Sequence, residues 1–400
     1  MIVLRYLFVA AALVAACYSA LFGYAAFLFQ EDTAASVAEA VRLVPFNSAY
    51  VARLANWQPE RKLALLHRAV ELNPFDFQSW IELGLSAEVE QHDVAAAERY
   101  YLRAAAVDHM FLPKWTLTNF YFRQQKPDEF FHWAQATLAI TPYRADPVFT
   151  QMWLMRQDAE RNAAALPDRS NVLLEYASFL ANAHQYRAVP PIIQRLVAVA
   201  GSRNPAAFGR DDQIGPIEDR ILQAGDLAAA LAIWQTMHAA KWIDLPAPSA
   251  ARPLTNGNFA APFLRHGFDW TPVPQEGVTV DSSAIRKSVR ITLSGGQPEH
   301  GILLQQYVPL DPNGHYRLRW RVESEDIHAP SGLAWHLYPV PQVSDSSLTA
   351  GDLLSPSEAE WQFASSNRDL YLLALEYARP LGSVRAIGSL SLESVYLDPQ

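Results

Sequence analysis

Cysteine is nearly absent: Cys17 is the only one in 400 residues. No intrachain disulfide can form, and a thiolate zinc site lacks its ligands. Basic charge is short as well, with 32 Lys and Arg against 41 Asp and Glu and a net charge of −9. Residues 254–400 hold 10 basic and 16 acidic residues, and the remainder holds 22 and 25. Neither part carries the positive footprint of a nucleic-acid binder. Also missing are a Gly-x-Ser-x-Gly elbow, a Gly-rich phosphate loop and a His-Glu-x-x-His pair. The 11 histidines are scattered, and Glu299-His300 and His336 stand as single features. The chain is therefore expected to be no enzyme, with no cofactor and no metal site. A glycosidase's two carboxylates across a cleft would, however, leave no trace in a sequence. Apolar residues are plentiful, at 50% against 18% charged, enough over this length to bury two or three cores.

No charged residue occurs from Tyr6 to Gln30. Those residues make a helix of about 37 Å, enough to cross a hydrocarbon core of about 30 Å. Arg5 precedes the run and Glu31-Asp32 follow it. The basic end predicts a cytoplasmic N-terminus, with residues 31–400 outside the cytoplasm, as in a single-pass protein of a bacterial inner membrane. A cleaved signal peptide is the competing reading, but its apolar core usually spans 7–15 residues. Val14-Ala15-Ala16-Cys17 also resembles a bacterial lipobox, which would place a lipid on Cys17. Against that stands the apolar stretch Leu21 to Phe29, where a polar tether is usual.

Residues 61–142 repeat with a period near 34. Leu72-Asn73-Pro74 and Ile140-Thr141-Pro142 close units 68 residues apart, with Val107-Asp108-His109 between, and Trp80, Trp115 and Phe149 recur in step. The clearest unit is Trp80-x2-Leu83-Gly84 followed by Ala97-x3-Tyr101-x2-Ala104. It resembles a tetratricopeptide repeat, in which Gly84 and Ala97 would let paired helices approach and the large residues would fill the gaps. Its turn is one residue long for the pattern, and His109 replaces the closing proline. Further helical pairs are expected at 37–44 with 48–56, at 171–186 with 189–199, and at 217–222 with 228–237. The resemblance implies a partner protein on the concave face, with Trp115, Tyr121 and Trp133 as candidates. The alternative places those rings in the inter-helix core.

Leu245-Pro246-Ala247-Pro248 through Pro253 cannot continue a helix and reads as a spacer. Beyond it the hydrophobic period becomes two. Val289, Ile291 and Leu293 alternate with polar residues, as do Tyr316, Leu318, Trp320 and Val322, and Tyr371, Leu373, Leu375 and Tyr377 form another row at the same spacing. Gly295-Gly296, Asp311-Pro312-Asn313-Gly314 and Arg379-Pro380-Leu381-Gly382 supply turns. An antiparallel sandwich follows. Three segments are specific in wording: Asn256-Gly257-Asn258-Phe259, Gln306-Tyr307-Val308 before Gly314-His315-Tyr316, and Gly388-Ser389-Leu390 running to Val395-Tyr396-Leu397. Together they resemble the galactose-binding-like jelly rolls of carbohydrate-binding modules. That resemblance implies a glycan ligand. It does not carry a structural calcium across, because Ala260 stands where members often have an acid, and Glu393-Ser394 replace an Asp-Asp pair.

The glycan candidates are the aromatics Trp270, Trp335, His336, Tyr338 and Trp361 and the arginines Arg317, Arg319 and Arg321. Aromatic faces suit the apolar side of a sugar ring, and guanidinium suits an acidic polysaccharide. For the arginines the alternative is a solvated row balanced by Glu323, Glu325 and neighbouring strands. The expected architecture is multidomain, α plus β: an anchor over 1–30, a helical repeat domain over 31–245, a proline-rich linker over 246–253 and a galactose-binding-like sandwich over 254–400. The expected role is a non-enzymatic envelope scaffold holding a protein and a surface polysaccharide. The alternatives are a sandwich that docks protein or is purely structural, and a glycan-active enzyme.

Overall fold

The computed structural model describes residues 2–142, 144–201, 214–342, 347–354 and 360–400. Residues 202–213, inside the expected repeat domain, lie outside them. The chain divides into two compact units, Met1–Asp158 with Ala164–Pro167, and Ala159–Ala163 with Asp168–Gln400.

The first unit is a series of helix pairs: α1 (Ile2–Glu31), α2 (Ala34–Leu43), α3 (Ser48–Trp57), α4 (Lys62–Leu72), α5 (Phe77–Leu85), α6 (Val94–Val107), α7 (Phe111–Arg123), α8 (Pro127–Leu138) and α9 (Asp146–Met155). Their starts are written locally. Thr33, Asn47, Asp76 and Asp93 each accept from backbone amides of the first turn, satisfying donors for which the helix itself has no acceptor. Pro127 opens α8, where its missing N–H costs nothing. A Cβ on Gly84 would overlap the Tyr101 ring, so glycine there is what lets α5 and α6 close. The extra residue in this unit is absorbed as a π-helical turn, Ser86–Glu90. Glu88 of that turn accepts from the Tyr101 hydroxyl at 2.9 Å and pairs with Arg123 at 2.7 Å, fastening the turn to α6 and α7.

The second unit begins with α10 (Ala159–Ala164), α11 (Ser170–Asn182), α12 (Val189–Ala200), α13 (Gly215–Gln223) and α14 (Leu227–Ala239). The proline-rich segment is no free spacer, because the indole of buried Trp234 on α14 donates to the carbonyls of Leu245 and Pro246 at 3.1 and 3.3 Å.

An antiparallel sandwich of two five-stranded sheets follows. Its strands are β1 (Thr271–Pro272), β2 (Val278–Ser283), β3 (Ser288–Ser294), β4 (His300–Pro309), β5 (His315–Glu325), β6 (Leu333–Pro339), β7 (Leu348–Asp352), β8 (Glu360–Ala364), β9 (Leu370–Ala378) and β10 (Ile387–Pro399). One sheet runs β1-β4-β9-β6-β7 and the other β2-β3-β10-β5-β8. The expected alternating rows form the core: Val289, Ile291 and Leu293 on β3, Tyr316, Leu318 and Trp320 on β5, and Leu373 and Leu375 on β9. On β9 the alternation fails, since Leu372, Ala374 and Glu376 on its other face are buried too.

The opening Asn-Gly-x-Phe wording has a structural use. Asn256 and Phe259 take positive φ, Gly257 passes against the Val395 carbonyl where a Cβ would overlap, and the Val395 amide donates to the Gly257 carbonyl at 2.8 Å. Buried Gln306 of β4 donates to Thr255 Oγ1 and to the Phe268 carbonyl, both at 2.8 Å, so the sheet grips the entry loop.

Candidate functional site

Side chains alternate across β6. Leu333, Trp335 and Leu337 enter the core, and Ala334, His336 and Tyr338 face outward and are half-buried. Pairing with β9 sets His336 beside Ala374, Tyr338 beside Leu372 and Ala334 beside Glu376. On the far side of β9, β4 contributes Gln305, Tyr307 and Ile302 to the same face. This outer face is built around one carboxylate. Glu376 is only 1% exposed, yet Tyr338 donates its hydroxyl to Oε1 at 2.6 Å, and His300 Nε2 lies 3.0 Å from Oε2. His300 itself is 67% exposed, so the buried carboxylate is tied to a side chain standing in water.

The His336 ring lies nearly parallel to that of Tyr338, with centroids 6.0 Å apart and planes at 10°. Thr349 on the edge strand β7 meets His336 Nδ1 at 3.1 Å. Burial lowers the His336 pKa below the ordinary imidazole value; Glu376 opposes this and His300 adds to it. The ring is therefore neutral near pH 7. Burial and the hydrogen bond to Glu376 push the Tyr338 phenol well above its usual range, so it stays a donor. The face thus offers two parallel half-exposed rings, Tyr338 held by the carboxylate behind it and His336 by Thr349 at the edge.

The helices at the start of this unit reach the same region. Outward Tyr307 is pushed up to about 12, first by burial and then by the charge of Asp219 on α13. Asp219 accepts from the Gly267 amide at 2.7 Å. Next to it Glu218 is wholly buried, 3.6 Å from His266 Nδ1, with the Trp234 indole edge-on to the same imidazole. Burial raises the Glu218 carboxyl to about 7, and His266 pulls the other way.

Several expected site residues are elsewhere. Trp270 and Trp335 were candidates for sugar stacking, but both are fully buried, with rings 6.0 Å apart in the sandwich core. A ligand has no face of either to touch. Trp361, on edge strand β8, is partly exposed but leans on the core, its ring 4.5 Å from that of Phe363. The arginine row of β5 does face outward, but each member has an acid. Arg317 lies 3.9 Å from Glu360, Arg319 2.5 Å from Asp398, and Arg321 3.8 Å from Glu393.

In the first unit Tyr121 is buried and donates to Glu98 at 2.9 Å, so it is core rather than groove. Trp115 stacks on Phe111 at 6.2 Å, and Trp133 meets His132 edge-on at 5.3 Å; both remain half-exposed. Sequence reasoning left out Glu376. The available signal was a lone carboxylate inside the otherwise apolar run Leu370–Ala378.

No family model matches the chain, and no curated protein matches it. Solved structures with local similarity include the C-terminal part of a TPR repeat-containing protein from Cytophaga hutchinsonii, at 16% identity over 55% of this chain and 95% of that one, with a TM-score of 0.30. YrrB, a TPR protein with an unusual peptide-binding site, aligns at 12% identity over 52% of this chain and 94% of its own, with a TM-score of 0.24. The ligand-free CBM1 of BiXyn10A aligns at 11% identity over 35% of this chain and 94% of its own, with a TM-score of 0.22. At these scores none of them bears on function.

Proposed function

We propose that the chain is a membrane-anchored, non-enzymatic scaffold of a bacterial envelope. In this reading α1 holds it in the inner membrane, the helix pairs hold a protein partner, and the outward face of β6 and β9 holds a surface glycan. The observation that carries the glycan part is the parallel His336–Tyr338 pair, with Tyr338 held by buried Glu376 and His336 by Thr349. Half-exposed rings with fixed polar edges are the chemistry that a sugar needs, an apolar face beside directed donors and acceptors. Trp115 and Trp133 remain the partner candidates on the helical unit. Joining two weak sites in one chain raises the local concentration of polymer near the partner without any new contact.

The test is retention of the detergent-solubilised full chain on immobilised neutral and acidic polysaccharides of the host envelope. Wild-type protein is expected to be retained, His336→Ala to be released, and Arg319→Ala to be retained. Equal retention of wild type and His336→Ala would remove this face from the reading. Since His336 protonates only below the ordinary imidazole range, retention should be level around neutrality and change on acidification.

A further inference from the structure

The apolar N-terminal helix does not end where a membrane would. All residues from Arg5 to Tyr24 are exposed, but Ala25 and Leu28 are buried in a cluster with Ala40, Val44 and Tyr50. Phe29 stacks on Tyr50 at 4.7 Å. Just past the helix, Asp32 pairs with Arg53 and accepts from the Trp57 indole at 3.3 Å. The last two turns of α1 are therefore core of the helical unit, joined without a break to the exposed part. Twenty exposed residues make about 30 Å of helix, the thickness of a hydrocarbon core.

At the end of that length Phe22 meets Phe46, with ring centroids 5.9 Å apart and planes at 67°. Phe46 lies in the turn between α2 and α3, where it and Pro45 are exposed. Through Phe22 this exposed Pro-Phe pair extends the apolar surface of α1, as suits a membrane interface, where aromatic rings collect.

We propose that α1 serves two structures at once: residues 5–24 cross the bilayer, the following turns are the first helix of the repeat array, and the Pro45-Phe46 turn is seated in the outer interfacial layer of phospholipid. This rests on the anchoring reading above. Two consequences follow from the geometry. The array meets the membrane with no tether, and removal of residues up to Leu28 would strip the cluster around Tyr50.

The test uses the full chain with Cys17→Ser, carrying Phe46→Cys labelled with nitrobenzoxadiazole, in vesicles of phosphatidylethanolamine and phosphatidylglycerol. Leu154→Cys, at an exposed position late in α9, is the comparison. The label at 46 should be blue-shifted and quenched several-fold more strongly by shallow nitroxide lipids than the label at 154. Pro45→Cys gives the same reading should Phe46→Cys not fold. Equal quenching at 46 and 154 in protein that floats with the vesicles overturns the interfacial seat and leaves the anchor standing. Failure to float, or a mature protein whose mass lacks residues 1–24, overturns the anchor reading itself.

Discussion

The two outer faces of the sandwich present charge in opposite ways. On β5, Arg317, Arg319 and Arg321 stand in water, each opposite an acid on a neighbouring strand. On β6 and β9 a single carboxylate is buried, with half-buried Tyr338 on one oxygen and exposed His300 near the other. The first face has more charge and less consequence, because exposed pairs are screened by water and salt and their long side chains are flexible. The second has one charge that water does not reach, so the Tyr338 hydroxyl bound to it is held in a fixed direction. Fixed direction, more than number of charges, makes a surface selective.

The largest test of this contrast is on the inner side of β6. Trp335→Ala should destabilise the sandwich by about 3–5 kcal/mol, as removal of a fully buried indole from a packed core does. Thermal unfolding would show it as a large fall in Tm, with ligand retention falling only as folded protein is lost. A normal Tm with lost retention would put Trp335 back in the site.

Next is the junction that carries α13 beside outward Tyr307. The Glu218 carboxyl is raised by burial to about 7. A folded pKa above the unfolded one contributes stability that is fully present below about 4.5 and is lost as pH rises through about 7. Glu218→Gln, uncharged at every pH, should therefore be more stable than wild type at pH 8, by up to about 3 kcal/mol, show this as a higher Tm, and lose that advantage near pH 5. A Tm difference independent of pH would show that burial of the charge is not what strains the junction.

Glu376→Gln comes third. It keeps an acceptor for Tyr338 but removes the charge facing His300. With His300 mostly in water, the cost should be about 1–2 kcal/mol, and glycan retention should weaken because the Tyr338 ring loses part of its support. Retention equal to wild type in a folded variant would separate Glu376 from the binding face.

How much of this was written in the sequence differs along the chain. Helix starts were readable, since Asn47, Asp76, Asp93 and Asp226 cap locally. So were the strands of the second sheet, whose outer face is wet and whose alternation is clean. Period two sets His336 and Tyr338 on one side of β6 and Trp335 on the other, but does not mark which side is the core, and Trp335 is therefore among the candidates. β9 was harder, because a strand buried on both faces shows no alternation that marks Glu376 as special. Glu218 and His266 are 48 residues apart, and only the packing of α13 against the entry loop brings them together. Their meeting is long-range, and no local pattern encodes it.

The smallest effect tests the other half of the contrast. Arg319 pairs with Asp398 at 2.5 Å and lies over the Tyr396 ring at 5.9 Å, the tightest partnership in its row. Both side chains are half-exposed, so water screens even this pair and its contribution should be small. Arg319→Ala should change Tm little at moderate salt, and what change exists should shrink as ionic strength rises and the Debye length falls. Glycan retention should be unaltered on neutral polymers. On acidic polymers a salt-sensitive loss would mean that the polymer displaces Asp398 from the guanidinium. The row would then be a second site that its own acids keep closed, and the contrast between the two faces would be one of occupancy, not of kind.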